Sequence, residues 1–164
     1  MNRHGFTLVE ILTAVVIVGI LVTIAMPLYA KTIERSRMTE ARAVLNRMQS
    51  AKRYAMGNMG CDSYSASAAN CPKFQHLNIQ FPFAASGITA ASDTFCYSLA
   101  PGGAYPDGVC AKRLGGEYAG TVFVYNGELD KQTDDISDNK FLCSGTACEE
   151  YGMVNTAGLG CTCN

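Results

Sequence analysis

From Phe6 to Met26 the chain is apolar on every side, and Glu10 is the only charged residue between Phe6 and Ala30. A run of 21 residues, rising about 1.5 Å per residue as a helix, covers about 30 Å, the thickness of the hydrocarbon layer of a bilayer. The pattern therefore predicts one membrane-crossing helix. A carboxylate inside such a segment costs about 2.5–3.5 kcal/mol on insertion scales, so Glu10 asks for a cationic partner.

After Pro27 the pattern becomes one-sided, with Ala41, Val44, Leu45, Met48, Ala51 and Ala55 recurring at intervals of three and four. That is an amphipathic helix whose apolar stripe docks on its own domain. Gly57, Asn58 and Gly60 supply stop signals, so one helix is expected from about Phe6 to about Met56. Gly19 weakens it and Pro27 removes a backbone hydrogen bond, which predicts a kink or a local opening between them.

The stretch from Cys61 to Ala91 reads as irregular loop with one short element, its large apolar residues being scattered (Phe74, Leu77, Ile79, Phe81, Phe83). Strand signals cluster at Thr94–Leu99, Val109–Arg113 and Tyr118–Tyr125, with a weaker one at Lys140–Cys143. Glycine turns at Pro101-Gly102-Gly103 and Gly115-Gly116 separate them. The expected architecture is α+β: a long N-terminal helix packed through its stripe on an antiparallel meander.

Charge and cysteine content sharpen this picture. The net charge of the 164 residues is −1, but it is unevenly placed. Between Lys31 and Arg53 seven basic residues face two acidic ones, whereas from Gly57 onward five basic face eleven acidic. A basic stem thus carries an acidic head, and an acidic exposed head argues against nucleic-acid binding.

All eight cysteines follow residue 60, which points to an oxidising compartment and a small head held by disulfides. Proximity in sequence suggests Cys61 with Cys71 and Cys96 with Cys110, each closure contributing about 3 kcal/mol. Cys161 and Cys163, one residue apart, are expected to pair with Cys143 and Cys148 in either arrangement.

Gly5, Phe6, Thr7, Leu8, Glu10, Gly19 and Pro27 together resemble the N-terminal signature of type IV pilins and of type II secretion pseudopilins, over roughly the first 55 residues. The resemblance implies cleavage by a prepilin peptidase between Gly5 and Phe6, N-methylation of Phe6, and retention of the apolar segment in the mature chain. It makes Glu10 an assembly residue, paired with the cationic N-terminus of a neighbouring subunit. It places Gly19 through Pro27 in a segment that unwinds in filaments. The implied organisation is a leader at residues 1–5, a filament-core half-helix at 6–30, an amphipathic half-helix at 31–56 and a head at 57–164.

Orientation is contested within the sequence. Arg3 on one side of the apolar run faces five basic residues between Lys31 and Arg47 on the other, and positive-inside bias would then put the head in the cytoplasm. The cysteines and the family resemblance put it outside, and that is the reading adopted.

Signals for chemistry are weaker. Asp130, Asp134, Asp135 and Asp138 offer oxygen ligands for calcium, as in the acidic head loops of major pseudopilins, although the EF-hand glycine and closing glutamate are lacking. A solvated surface loop is the plainer reading, and no cofactor is expected. Cys143, Cys148, Cys161 and Cys163 have poor spacing for zinc. His76, the one histidine left after leader removal, stands among loop residues, and no nucleophile–base grouping is discernible. The expectation is a non-enzymatic subunit of a type IVa-like pilus, with a homopolymer, the peptidase and inner-membrane assembly machinery as partners. It would sit in the inner membrane with its head in the periplasm before assembly and in an extracellular pilus afterwards. A pseudopilin, and a membrane-anchored binding protein that never polymerises, are the alternatives.

Overall fold

The computed structural model describes residues 7–81, 83–102, 105, 107–126 and 140–163. The chain forms two compact units, Met1–Ser36 and Arg37–Asn164. Helix α1, Leu8–Met59, begins in the first and ends in the second. It runs three residues past the expected end because Gly60, at φ 66°, takes the left-handed conformation that closes a helix. The Cys61 amide then reaches back to the Met56 carbonyl at 3.0 Å. Residues from Gly19 to Pro27 are helical in this single chain, in place of the local opening expected there.

In the second unit α1 packs on a six-stranded antiparallel sheet, ordered β1-β2-β3-β5-β6-β7. Its strands are β1 (Ala84–Ser86), β2 (Thr89–Ala91), β3 (Phe95–Ser98), β5 (Val109–Arg113), β6 (Val122–Asn126) and β7 (Lys140–Ser144). β4 (Pro101–Gly102) pairs separately with β8 (Gly160–Cys161). An α+β fold with a meander is thus present, and the sheet is wider than the sequence suggested. The Cys61–Ala91 stretch contains a short 3-10 helix, Phe74–His76, and the β1–β2 hairpin. Residues 118–121 form a turn, not strand: the Gly120 amide donates to the Arg113 carbonyl and the Arg113 amide to the Thr121 carbonyl, both at 2.9 Å.

Strand alternation divides the sheet into two working faces. Phe95, Tyr97, Val109, Ala111, Phe123 and Cys143 face one way and share a core with Met38, Ala41, Leu45, Met48 and Ala55 of α1. Across this face runs a row of rings, Phe74, Phe81, Phe83, Tyr97, Phe95 and Phe123, with neighbouring centroids 5.1–6.2 Å apart. Cys110, Val122 and Val124 face the other way and are covered by Leu159 and Cys161 of the C-terminal segment.

That second face explains the disulfides. Cys96 pairs in register with Lys112 and Ser98 with Cys110, so Cys96 and Cys110 share a face as diagonal neighbours. Such a diagonal is about 7–8 Å, beyond the reach of a bridge, and the expected Cys96–Cys110 pair does not form. Each is bonded instead to the segment lying over that face, as Cys96–Cys163 and Cys110–Cys161. Cys143–Cys148 closes locally, which corrects the expectation that these two would take Cys161 and Cys163. Cys61–Cys71 forms as expected.

Candidate functional site

Two places concentrate unusual chemistry: the start of α1 in the first unit and a buried lysine in the second.

The helix opens on a reciprocal cap. Thr7 lies just outside it, and the Glu10 amide donates to Thr7 Oγ1 at 3.3 Å. The Thr7 amide and hydroxyl both donate to Glu10 Oε2, at 3.0 and 2.9 Å. This capping box satisfies backbone donors that the first helical turn leaves open. Among the described residues, both bonds to the carboxylate fall on Oε2, which leaves Oε1 for a further donor. Glu10 is exposed, so the cap positions its charge without hiding it.

Below this cap the surface is apolar all round. Leu8, Ile11, Val15, Val18, Leu21, Ile24 and Leu28 are each at least 54% exposed. The hydroxyls in the segment do not interrupt it, because they bond to the helix's own carbonyls: Thr13 Oγ1 to Val9 at 3.0 Å, Thr23 Oγ1 to Ile20 at 2.7 Å and Thr32 Oγ1 to Leu28 at 2.9 Å. Satisfying polar groups within the segment is what a bilayer demands. The helix is long and apolar enough to cross one, and none of its apolar window is buried. Gly19 has no atom within 4 Å of the position a Cβ would take, and Pro27 stands inside the helix. Gly5 and Phe6 lie outside the described residues.

In the second unit Lys52 is fully buried on α1. Its Nζ donates to the carbonyls of Leu99 and Gly108, both at 2.7 Å, and lies 3.7 Å from the centroid of the Tyr64 ring. Burial pushes its amine down to about 7, while the nearby Asp107 carboxylate pulls it upward. One helical turn earlier Gln49 Nε2 donates to the Asp107 carbonyl at 3.0 Å, and Asp107 Oδ1 accepts from the Tyr64 amide at 2.8 Å. Burial pushes the Tyr64 phenol up to about 12, and its hydroxyl donates to the Pro72 carbonyl at 3.1 Å. Helix, sheet and the Cys61–Cys71 loop therefore meet at one polar node. Sequence reasoning assigned Lys52 to the basic stem and missed this role. Its position four residues after Met48 and three before Ala55, within the apolar stripe, was the available signal.

The remaining candidates separate. His76 sits on the surface, its Nδ1 accepting from the Lys73 amide at 3.0 Å. All eight cysteines are in bridges, so Cys143, Cys148, Cys161 and Cys163 present no thiolates to zinc. Among the described residues no group of three or more His, Cys, Asp or Glu could hold a metal ion. The calcium candidates Asp130, Asp134, Asp135 and Asp138 lie outside the described residues.

Residues 1–26 match the family model of the prokaryotic N-terminal methylation motif. No curated protein and no solved structure gives a significant match to the chain.

Proposed function

We propose that this chain, which carries the N-terminal methylation motif that is the hallmark of type IV pilins and pseudopilins, is a structural, non-catalytic subunit that polymerises through its first helix. The motif and the apolar helix fit a membrane-anchored pilin-like protein processed by prepilin peptidase. The observation that carries the further step is an apolar helix surface exposed all round, with a single carboxylate one turn from the cleavage position.

Cleavage after Gly5 frees the Phe6 amine, a cation near neutral pH at its reference pKa of about 7.7–8.0, and methylation keeps it able to carry charge. In the bilayer, lipid covers the helix. In the filament, other copies cover it, through a heterologous contact that repeats without closing. The amine of one subunit answers Glu10 of another, because a mispaired subunit would leave the carboxylate uncompensated in an apolar core. Opening of the helix between Gly19 and Pro27 belongs to this assembly step. The head lies in the periplasm before assembly and on an extracellular pilus after it, where covalent closure of its C-terminal segment suits a surface subunit.

The test is Glu10→Ala in cells. The variant should accumulate in membranes at the wild-type level with its head folded, while the amount recovered in sheared filaments falls at least tenfold. Wild-type recovery from the sheared fraction would remove the assembly role of Glu10.

A further inference from the structure

We propose that the Cys96–Cys163 and Cys110–Cys161 bridges form a single thiol–disulfide exchange site, at which one dithiol releases the C-terminal segment from both β3 and β5. The two bridges converge because their strand cysteines share one face and their partners have a single residue between them, as Cys161-Thr162-Cys163. The Sγ atoms of Cys161 and Cys163 are 3.9 Å from each other. A thiolate freed at either position therefore starts at the sulfur of the neighbouring bridge.

Access selects this pair. Cys161 and Cys163 are half-buried, whereas Cys61, Cys71, Cys143 and Cys148 are all buried, at 5% exposure or less. Cys96 and Cys110 are buried as well, so an incoming thiolate meets the sulfurs of the C-terminal segment first.

One thiolate of the dithiol attacks Cys163 Sγ, breaking the bond to Cys96 and leaving Cys96 as the thiol. The second thiolate closes the dithiol into its own disulfide and frees Cys163. The Cys163 thiolate then attacks Cys161 Sγ, forming a Cys161–Cys163 disulfide and expelling the Cys110 thiolate. Two electrons have entered, yet both links to the sheet are broken. The face formed by Cys110, Val122 and Val124 then loses its covalent cover.

The partner is defined by its chemistry as a dithiol. The experiment gives the oxidised full-length protein, in detergent, one equivalent of dithiothreitol. Free thiols are blocked with N-ethylmaleimide, and the chain is digested without reduction and mapped by mass spectrometry. Most singly reduced molecules should carry label on Cys96 and Cys110, with Cys161 and Cys163 unlabelled and joined to each other. Label on Cys96 and Cys163 with Cys110–Cys161 intact, or on Cys110 and Cys161 with Cys96–Cys163 intact, would overturn the exchange. First labelling at Cys61, Cys71, Cys143 or Cys148 would overturn the choice of site.

Discussion

Lys52 Nζ on the helix donates at 2.7 Å to the Leu99 carbonyl beside the sheet, 47 residues further along the chain. A second donation, to Gly108 at 2.7 Å, and the neighbouring donation from Gln49 to the Asp107 carbonyl make a polar link from the helix to the segments flanking the sheet. Either alanine or methionine at this position takes the donor away from both carbonyls, so the two variants differ in the volume left empty. Lys52→Ala should thus destabilise the head by about 3–5 kcal/mol, through unsatisfied carbonyls and a cavity together. Lys52→Met, which restores the volume, should cost clearly less. Denaturant unfolding of the full chain, followed by tyrosine fluorescence, compares the two; equal losses would show that volume is irrelevant at this site.

The same lysine makes head stability depend on pH. Its amine is lowered in the folded state to about 7, from 10.5 when unfolded. Between those values the unfolded chain binds more protons, so stability rises with pH across the window. The penalty is largest below pH 7 and is relieved toward pH 10, with a slope of at most about 1.4 kcal/mol per pH unit. A neutral amine keeps two N–H groups, enough for the Leu99 and Gly108 carbonyls. Denaturation midpoints from pH 6 to 9 should climb in wild type and flatten in Lys52→Met. A parallel climb in both would assign the effect elsewhere.

Gly108 is held by close approach. A Cβ there would stand 2.9 Å from the Tyr125 carbonyl oxygen and 3.4 Å from that of Tyr105. Backbone must move to admit it, and its own carbonyl is an acceptor for Lys52. Gly108→Ala should cost about 1–3 kcal/mol. Gly115→Ala, with nothing within 4 Å, should be close to neutral, and thermal melts of the pair measure the contrast.

The elements most legible in the sequence were those written as periodicity. The apolar run and the stripe through Ala41, Leu45, Met48 and Ala55 gave the helix and its docking face, and β-branched and aromatic clusters gave β3, β5 and β6. Short Ala-rich strands hid the β1–β2 hairpin, since Ala84 to Ala91 has little β propensity and is held by pairing with β3. Cysteine pairing depended on which residues share a sheet face, and sequence proximity is a poor guide to that. At the helix start, Thr7-Leu-Val-Glu10 spells a capping box, so a local role for Glu10 was readable beside the intersubunit one.

Those two roles of Glu10 separate by substitution. Glutamine also closes a capping box, so Glu10→Gln should keep the contact with Thr7 while removing the charge. If the ion pair is the requirement, it should resemble Glu10→Ala in filament recovery. Near-wild-type assembly of Glu10→Gln would identify the cap, not the ion pair, as the requirement.

Among the bridges, loop length sets the expected loss. Cys61–Cys71 spans 10 residues and Cys96–Cys163 spans 67. Because Cys110–Cys161 lies inside the second loop and already closes 51 of its 67 residues, removing either Cys61–Cys71 or Cys96–Cys163 by paired Cys→Ser substitution should cost about 3 kcal/mol on chain-entropy grounds. Unfolding midpoints of the two double variants should therefore fall by similar amounts, and a much larger fall for Cys96–Cys163 would show that it does more than close a loop.

Mass spectrometry of protein sheared from intact cells decides whether this chain is a cleaved, polymerising subunit. A chain starting at methylated Phe6, with its eight cysteines paired, is expected in the sheared fraction. The same mature form confined to membranes would favour the pseudopilin reading. A chain still beginning at Met1 in every fraction would contradict cleavage and the polymerisation that depends on it.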